Sequence, residues 1–185
     1  LTLILMELYF GRYEKEELGW NTAFGNSLIL IFVSANLINH KRIKVFTFDF
    51  TTKMTEGLKQ EIGEVDYIAH LGAESHVDNS ISNPRDCFKD NIFGTIELLE
   101  YAKTLKKLKL FFYFSTDEVF GPAPSNIKYK ENDRYNSGNP YAASKAGAEE
   151  MCVAFKNTYK LPIIITHTMN VLGERQHPEK YLPKI

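Results

Sequence analysis

From residue 44 to the end of the chain, apolar and polar positions follow a repeating strand–helix rhythm. Residues 44–48 alternate β-branched and aromatic side chains with polar ones and predict a strand. Residues 55–62 predict a short helix, stopped by Gly63. Residues 66–71 carry almost no polar interruption, which predicts a strand buried on both faces. A loop over 72–83 runs to Pro84. Ile92, Ile96, Leu99 and Leu105 recur at helical spacing, with Leu98 and Ala102 at the margin, and predict a helix over 91–108. A strand over 110–114 follows. Residues 121–140, rich in Pro, Asn, Ser and Gly, predict a loop. A helix over 141–159 and a strand over 162–168 complete the pattern. This alternation argues for an α/β fold, a parallel sheet with helices on both faces. Ligands of such sheets bind beyond the carboxyl ends of the strands. The loops after Leu71, Phe114 and Thr168 are therefore expected to form one site.

The first 43 residues do not share this rhythm. The apolar run 1–6 is too short to span a membrane and lacks the basic flank and small-residue cleavage site of a secretory signal. The brief apolar run 28–33 reads as a buried strand or helix. The whole chain has 185 residues, enough for one domain with a sizeable core. Its net charge of −1 gives no electrostatic case for nucleic acid or an anionic membrane. Cys87 and Cys152 have no CxxC partner and no His at zinc-ligand spacing, so they read as reduced thiols of a cytoplasmic protein without a metal site. Lys103, Lys106, Lys107 and Lys109 read as the solvated end of a helix, where cations oppose the dipole.

The chemistry concentrates after the 110–114 strand, in Ser115-Thr116-Asp117-Glu118-Val119-Phe120-Gly121. About two dozen residues on, Tyr141 and Lys145 lie four apart, on one face of the predicted helix. Adjacent carboxylates are most often solvated surface, and on a strand Asp117 and Glu118 would point to opposite faces. At a bend both can reach one site. The cluster then holds a phenolic base, a cation to lower its pKa, an acid and a second base. Those are the parts for oxidising a sugar hydroxyl and eliminating water.

These residues carry a resemblance. Residues 44–185 resemble the extended short-chain dehydrogenase/reductase family, and within it the nucleotide-sugar 4,6-dehydratases, of which dTDP-glucose 4,6-dehydratase is the type. The matching stretches are His70-Leu71-Gly72-Ala73-Glu74-Ser75-His76-Val77-Asp78, Asn91-Ile92-Phe93-Gly94-Thr95, the Ser115 to Gly121 run, Asn139-Pro140-Tyr141 through Lys145, Asn170-Val171-Leu172-Gly173, and His177-Pro178-Glu179-Lys180. The resemblance implies NAD as cofactor and a nucleoside-diphosphate sugar as substrate. It implies that Tyr141 takes the 4-hydroxyl proton, with Lys145 lowering its pKa and holding the nicotinamide ribose. Thr116 would bond the 4-hydroxyl, Glu118 take the C5 proton, and Asp117 protonate the departing C6 hydroxyl. It also implies that Asp49 accepts from the adenine amino group, and that Gly72 and Ala73 allow close approach of the dinucleotide. Ser75, His76, Asn170, Glu179 and Lys180 would contact the substrate.

The departures concern the N-terminus. Gly11, Gly19 and Gly25 make neither GxxGxxG nor GxGxxG, so the phosphate cradle is missing. Residues 20–28 match the family's second strand, with Asn26 in place of the usual acid, which makes residues 1–19 the remnant of a first helix. The expected fold is thus a partly truncated, Rossmann-like, doubly wound sheet. Its first strand and glycine-rich turn are missing and its substrate domain is mostly absent. Residues 1–43 form an atypical segment, and 44–185 the central part of the NAD-binding domain. Two alternatives stay open: an epimerase or decarboxylase of the same fold, which needs Tyr141 and Lys145 but not both carboxylates, and a non-catalytic remnant that only folds or dimerises. A homodimer is expected through 91–108 and 141–159. The second carries Met151, Phe155 and Tyr159 as one stripe and Ala142, Ala146 and Val153 as a further apolar surface.

Overall fold

A computed structural model describes residues 3–6 and 46–169 of the chain. Of these, 3–6 and 50–169 fall in one compact unit, while 46–49 belong to a second and have no regular secondary structure. The sheet has four parallel strands in the order β1 (Leu3–Met6), β2 (Tyr67–His70), β3 (Leu110–Thr116) and β4 (Ile163–Thr168). All carboxyl ends therefore lie on one side. β3 outruns β2: their register ends at His70 with Tyr113, whereas β3 continues beside β4 to Thr116 with Thr168. That step opens a crevice at the end of β3.

Two expectations about the N-terminal half change. Residues 46–48 are not a strand, although their composition suits one. Composition is a weak guide here, because strand propensity reports packing against neighbours rather than a backbone preference. Leu3–Met6 was expected within a helical remnant but is a strand, with Leu3 paired to Tyr67 and Met6 to His70. It stands on the flank of β2 where a doubly wound sheet carries its first strand. The readings of 20–28, of 28–33 and of the missing glycine turn fall outside the described residues.

The helices obey local rules. α1 (Glu56–Ile62) starts at Thr55, whose side chain accepts from Leu58 N, and ends at Gly63 with φ 76°. The expected loop 72–83 contains a further helix, α2 (Val77–Ser82). It is set by His76, whose Nδ1 accepts from Asn79 N at 3.2 Å. α3 (Pro84–Phe88) begins on a proline, suited to a first helical position. It runs through one widened π turn, Lys89–Phe93, into α4 (Gly94–Thr104). The wider turn lets Asn91 face inward, fully buried, while Phe93 faces out at 57% exposure. The helix stops at Thr104 rather than 108, because the amides of Lys106 and Lys107 turn to Glu64 Oε2. Of the four clustered lysines only Lys103 lies on the helix, and Lys109 pairs with Asp66 at 2.9 Å.

α5 (Pro140–Tyr159) is the longest helix described. It buries Ala142, Lys145, Ala146, Glu149, Cys152 and Phe155, a helical repeat that covers one face. Ala146 packs with Val119 and Phe120. Ala142 and Ala146 are thus core, not the second free surface expected of them, and of that set Val153 alone is exposed. Under the helices lie Phe111 and Tyr113 of β3 and Ile68 and His70 of β2, all buried. Burying each large apolar side chain contributes roughly 1.5–3 kcal/mol.

Candidate active site

β3 delivers Thr116 to the crevice, and the chain then bends into one 3-10 turn, Asp117–Phe120. Thr116 sets that turn: its hydroxyl oxygen accepts from Glu118 N at 3.3 Å and lies 3.5 Å from Asp117 Oδ1. The turn resolves the geometric objection to two adjacent carboxylates, because both project from a bend rather than a strand. Gly121 closes it at φ 75°, donating to Glu118 O, where a Cβ would collide with the carbonyl of Asn136.

α5 brings the other half. Asn139 caps it, with Oδ1 accepting from Ala142 N at 2.7 Å, while its Nδ2 donates to Glu118 Oε2 at 3.0 Å. The Tyr141 phenol lies near enough to Thr116 for that hydroxyl to favour its charged form. Burial pushes the Tyr141 phenol well above its ordinary pKa, the negative charge of Glu118 adds to this, and the Thr116 hydroxyl opposes it. Thr116, Asp117, Glu118 and Tyr141 are therefore brought together.

Lys145 sits one turn on, but not as expected. Its ammonium donates to Phe114 O at 2.7 Å and lies over the Tyr113 ring, 4.2 Å from its centre. It is not among the main influences on the Tyr141 phenol. Burial pulls Lys145 down to about 8, against the opposing charge of Glu149.

The strand-end loop after β2 is tied to α5 by Asn91. Its side chain accepts from Glu74 N at 2.8 Å, donates to Glu74 O at 3.0 Å, and donates to Ser144 Oγ at 2.7 Å. Ser144 in turn donates to Tyr141 O, and Ser80 accepts from Tyr141 N. Gly72 is buried and Ala73 half-buried where β2 ends. Ser75 and His76 follow on the same loop, with His76 engaged as the α2 cap. Asp49 lies in the second unit. Asn170, Glu179 and Lys180 are outside the described residues.

A cavity of about 760 Å³ adjoins the turn, lined among others by Asp117, Glu118, Phe120, Tyr129, Asn139 and His167. Tyr129 stacks on Phe120 at 5.5 Å, and His167 packs on the same ring at 4.8 Å. The sequence pattern singled out none of His167, Glu149 and Tyr135. Glu149 could have been found, since it repeats the Tyr141–Lys145 interval by one more helical turn.

Parallel strands ending in a Thr-Asp-Glu bend, faced by a helix with Tyr and Lys four apart, define the class: an α/β protein of the extended short-chain dehydrogenase/reductase type. The comparisons narrow it. The family model described as GDP-mannose 4,6 dehydratase matches residues 31–185, and the chain belongs to that family. It is 42% identical over 123 residues to a trifunctional UDP-glucose 4,6-dehydratase/UDP-4-keto-6-deoxy-D-glucose 3,5-epimerase/UDP-4-keto-L-rhamnose-reductase of Arabidopsis thaliana, covering 65% of this chain and 18% of that one. It is 44% identical over 127 residues to a dTDP-glucose 4,6-dehydratase of Haemophilus influenzae, covering 64% of this chain and 38% of that one. Among solved structures it is similar to the dTDP-glucose 4,6-dehydratase DesIV of Streptomyces venezuelae, solved with NAD bound. The TM-score is 0.71 at 36% identity, covering 82% of this chain and 47% of that one. The chain thus spans less than half the length of each of these relatives.

Proposed function

We propose that this protein acts as an NAD-dependent lyase, which dehydrates a nucleoside-diphosphate glucose to the 4-keto-6-deoxy sugar. One observation carries the reading: two carboxylates, Asp117 and Glu118, share one bend with Thr116, and Asn139 ties Glu118 to the start of the helix that carries Tyr141. An epimerase needs the Tyr and Lys but has no use for both acids.

In this reading Tyr141 and Thr116 hold the 4-hydroxyl, and Tyr141 receives its proton. Glu118 removes the proton at C5, acidified once C4 is a ketone, and Asp117 protonates the departing C6 hydroxyl. Bound NAD supplies a hydride acceptor that is regenerated within each cycle. The residues at hand fit its nicotinamide half. Gly72 and Ala73 end β2 with little side chain, and Lys145 keeps N–H donors beyond the one given to Phe114 O. The resting phenol is held protonated, by burial first and by the charge of Glu118 second, so it must give up its own proton before it takes that of the 4-hydroxyl. Asp49 for the adenine, and Ser75, His76, Asn170, Glu179 and Lys180 for the substrate, complete the proposed contacts.

We also assign residues 44–185 to the central part of the NAD-binding domain, with Leu3–Met6 supplying the strand on the flank of β2. A cytoplasmic homodimer agrees with two free buried cysteines and with Ile81, Phe88, Phe93 and Val153 left exposed on the helices. Among the described residues no helix is long and apolar enough to cross a membrane. The test is incubation with NAD and either dTDP-glucose or UDP-glucose, followed by mass spectrometry. Loss of one water from the sugar supports the reading, and a sugar epimerised without mass change overturns it.

A further inference from the structure

We infer that Glu149 is a positioning residue of this site: a sealed carboxylate whose hydrogen bonds to Ser115, Tyr135 and His167 fix the wall of the cavity beside Glu118, and whose charge faces Lys145. The inference rests on the proposed function for what the cavity holds, but not for the network itself.

Glu149 is 0% exposed. An isolated carboxylate at such a place would cost several kcal/mol or take up a proton. Here three donors from three separate elements meet it. Ser115 Oγ donates to Oε1. Tyr135 OH donates to Oε2 at 2.5 Å, and His167 Nε2 lies 2.8 Å from the same oxygen.

Each donor sits next to the proposed chemistry. Ser115 immediately precedes Thr116. His167 lines the cavity and packs on Phe120. Tyr135 packs edge-on with Phe120 and follows the segment that carries Tyr129, Lys130 and Glu131 along the cavity. One carboxylate thus joins β3, β4 and the 121–139 loop around a single aromatic ring.

The same carboxylate faces Lys145, one helical turn earlier. Around that ammonium stand Glu149 and Cys152 of α5, Cys87 of α3, Tyr113 of β3 and His70 of β2. Burial disfavours the charged amine, and Glu149 is the foremost group favouring it. A purely structural glutamate, replaced by an amide of the same shape, would leave Lys145 untouched.

The test uses the chain with 13Cε-labelled lysine, Lys145 being assigned by its loss in Lys145→Met. In Glu149→Gln the Lys145 titration moves to lower pH, and affinity for dTDP-glucose or UDP-glucose weakens about tenfold. Tyr135→Phe and His167→Asn keep the carboxylate and remove one donor each. Both should weaken binding while the Lys145 midpoint stays, which tests the wall even where Glu149→Gln does not fold. An unchanged midpoint in a folded Glu149→Gln, or wild-type affinity in both donor variants, overturns the inference. A wild-type chain that binds neither sugar nucleotide counts against the proposed function, and the Lys145 midpoint then decides the case of Glu149.

Discussion

Asn139 holds Glu118 with one end of its amide and the start of α5 with the other: Nδ2 donates to Oε2 at 3.0 Å, and Oδ1 accepts from Ala142 N at 2.7 Å. The proposed C5 base is thereby tied to the helix that carries the proposed phenol. Asn139→Ala should cost about 1 kcal/mol through the lost cap. Asn139→Asp should keep the cap, since an acid serves there, but set a second carboxylate against Glu118. Chemical denaturation should therefore separate the two variants, while both should lower turnover. Equal stability loss in both would mean that capping is not the helix-side role.

Glu118→Gln should uncouple the two halves of the reaction. Oxidation at C4 proceeds and elimination stops, so absorbance at 340 nm rises and stays high with the C6 hydroxyl intact. A normal yield of dehydrated sugar would assign the C5 base elsewhere.

Lys145 predicts a pH dependence. Its folded pKa of about 8 lies below the ordinary 10.5. Between these values the unfolded chain binds more protons, so stability rises with pH across that window and is lost as pH falls through about 8. Since Lys145 is buried, the increment is up to about 3 kcal/mol. Urea unfolding at pH 7 and pH 9.5 should show it in the wild type and not in Lys145→Met. Identical pH slopes in the two proteins would contradict the burial argument.

Gly94 opens α4 directly against Phe50, whose ring occupies the space a Cβ would need. Phe50 is itself fully buried. Gly94→Ala should lose about 1–3 kcal/mol by overpacking, read as a fall in melting temperature. Adding Phe50→Leu should recover part of the loss. A neutral Gly94→Ala would show that the ring has room to shift.

Phe93 and Phe88 stand exposed along one continuous helical run, at 57% and 39%. Light scattering should report twice the monomer mass, and Phe93→Glu should halve it. A monomer at tens of micromolar would leave those side chains without the proposed role.

The alternation of strands and helices from 55 onward was legible because each element has a strong local signal: Thr55 and Gly63 bracket α1, and Asn139-Pro140 opens α5. The four grouped site residues, Thr116 to Glu118 and Tyr141, were legible from the same motifs. What escaped was set by tertiary partners. Leu3–Met6 is a strand only because β2 offers it an edge. Residues 46–48 have strand composition, and composition alone does not make a strand. α2 hides in a polar loop because its start signal is a histidine cap, a residue rarely read that way. Lys145 was expected to serve the phenol, but the Phe114 carbonyl lies within its reach and burial leaves it no water. Glu149 continues the Tyr141–Lys145 interval, but its role shows only where three elements meet it.

The pairing of β1 with β2 also bears on how the chain assembles. Leu3 meets Tyr67, 64 positions away, whereas β2, β3 and β4 follow one another at shorter intervals with a helix between each pair. Long loops close late, because their entropy is spent before any contact returns it. The three-stranded part with α4 and α5 can form first, with the flank of β2 open. During synthesis at roughly 5–20 residues per second, β1 leaves the ribosome several seconds before its partner does. For that interval an apolar strand has no edge to pair with, which makes this end of the sheet the step at which a holding chaperone would act.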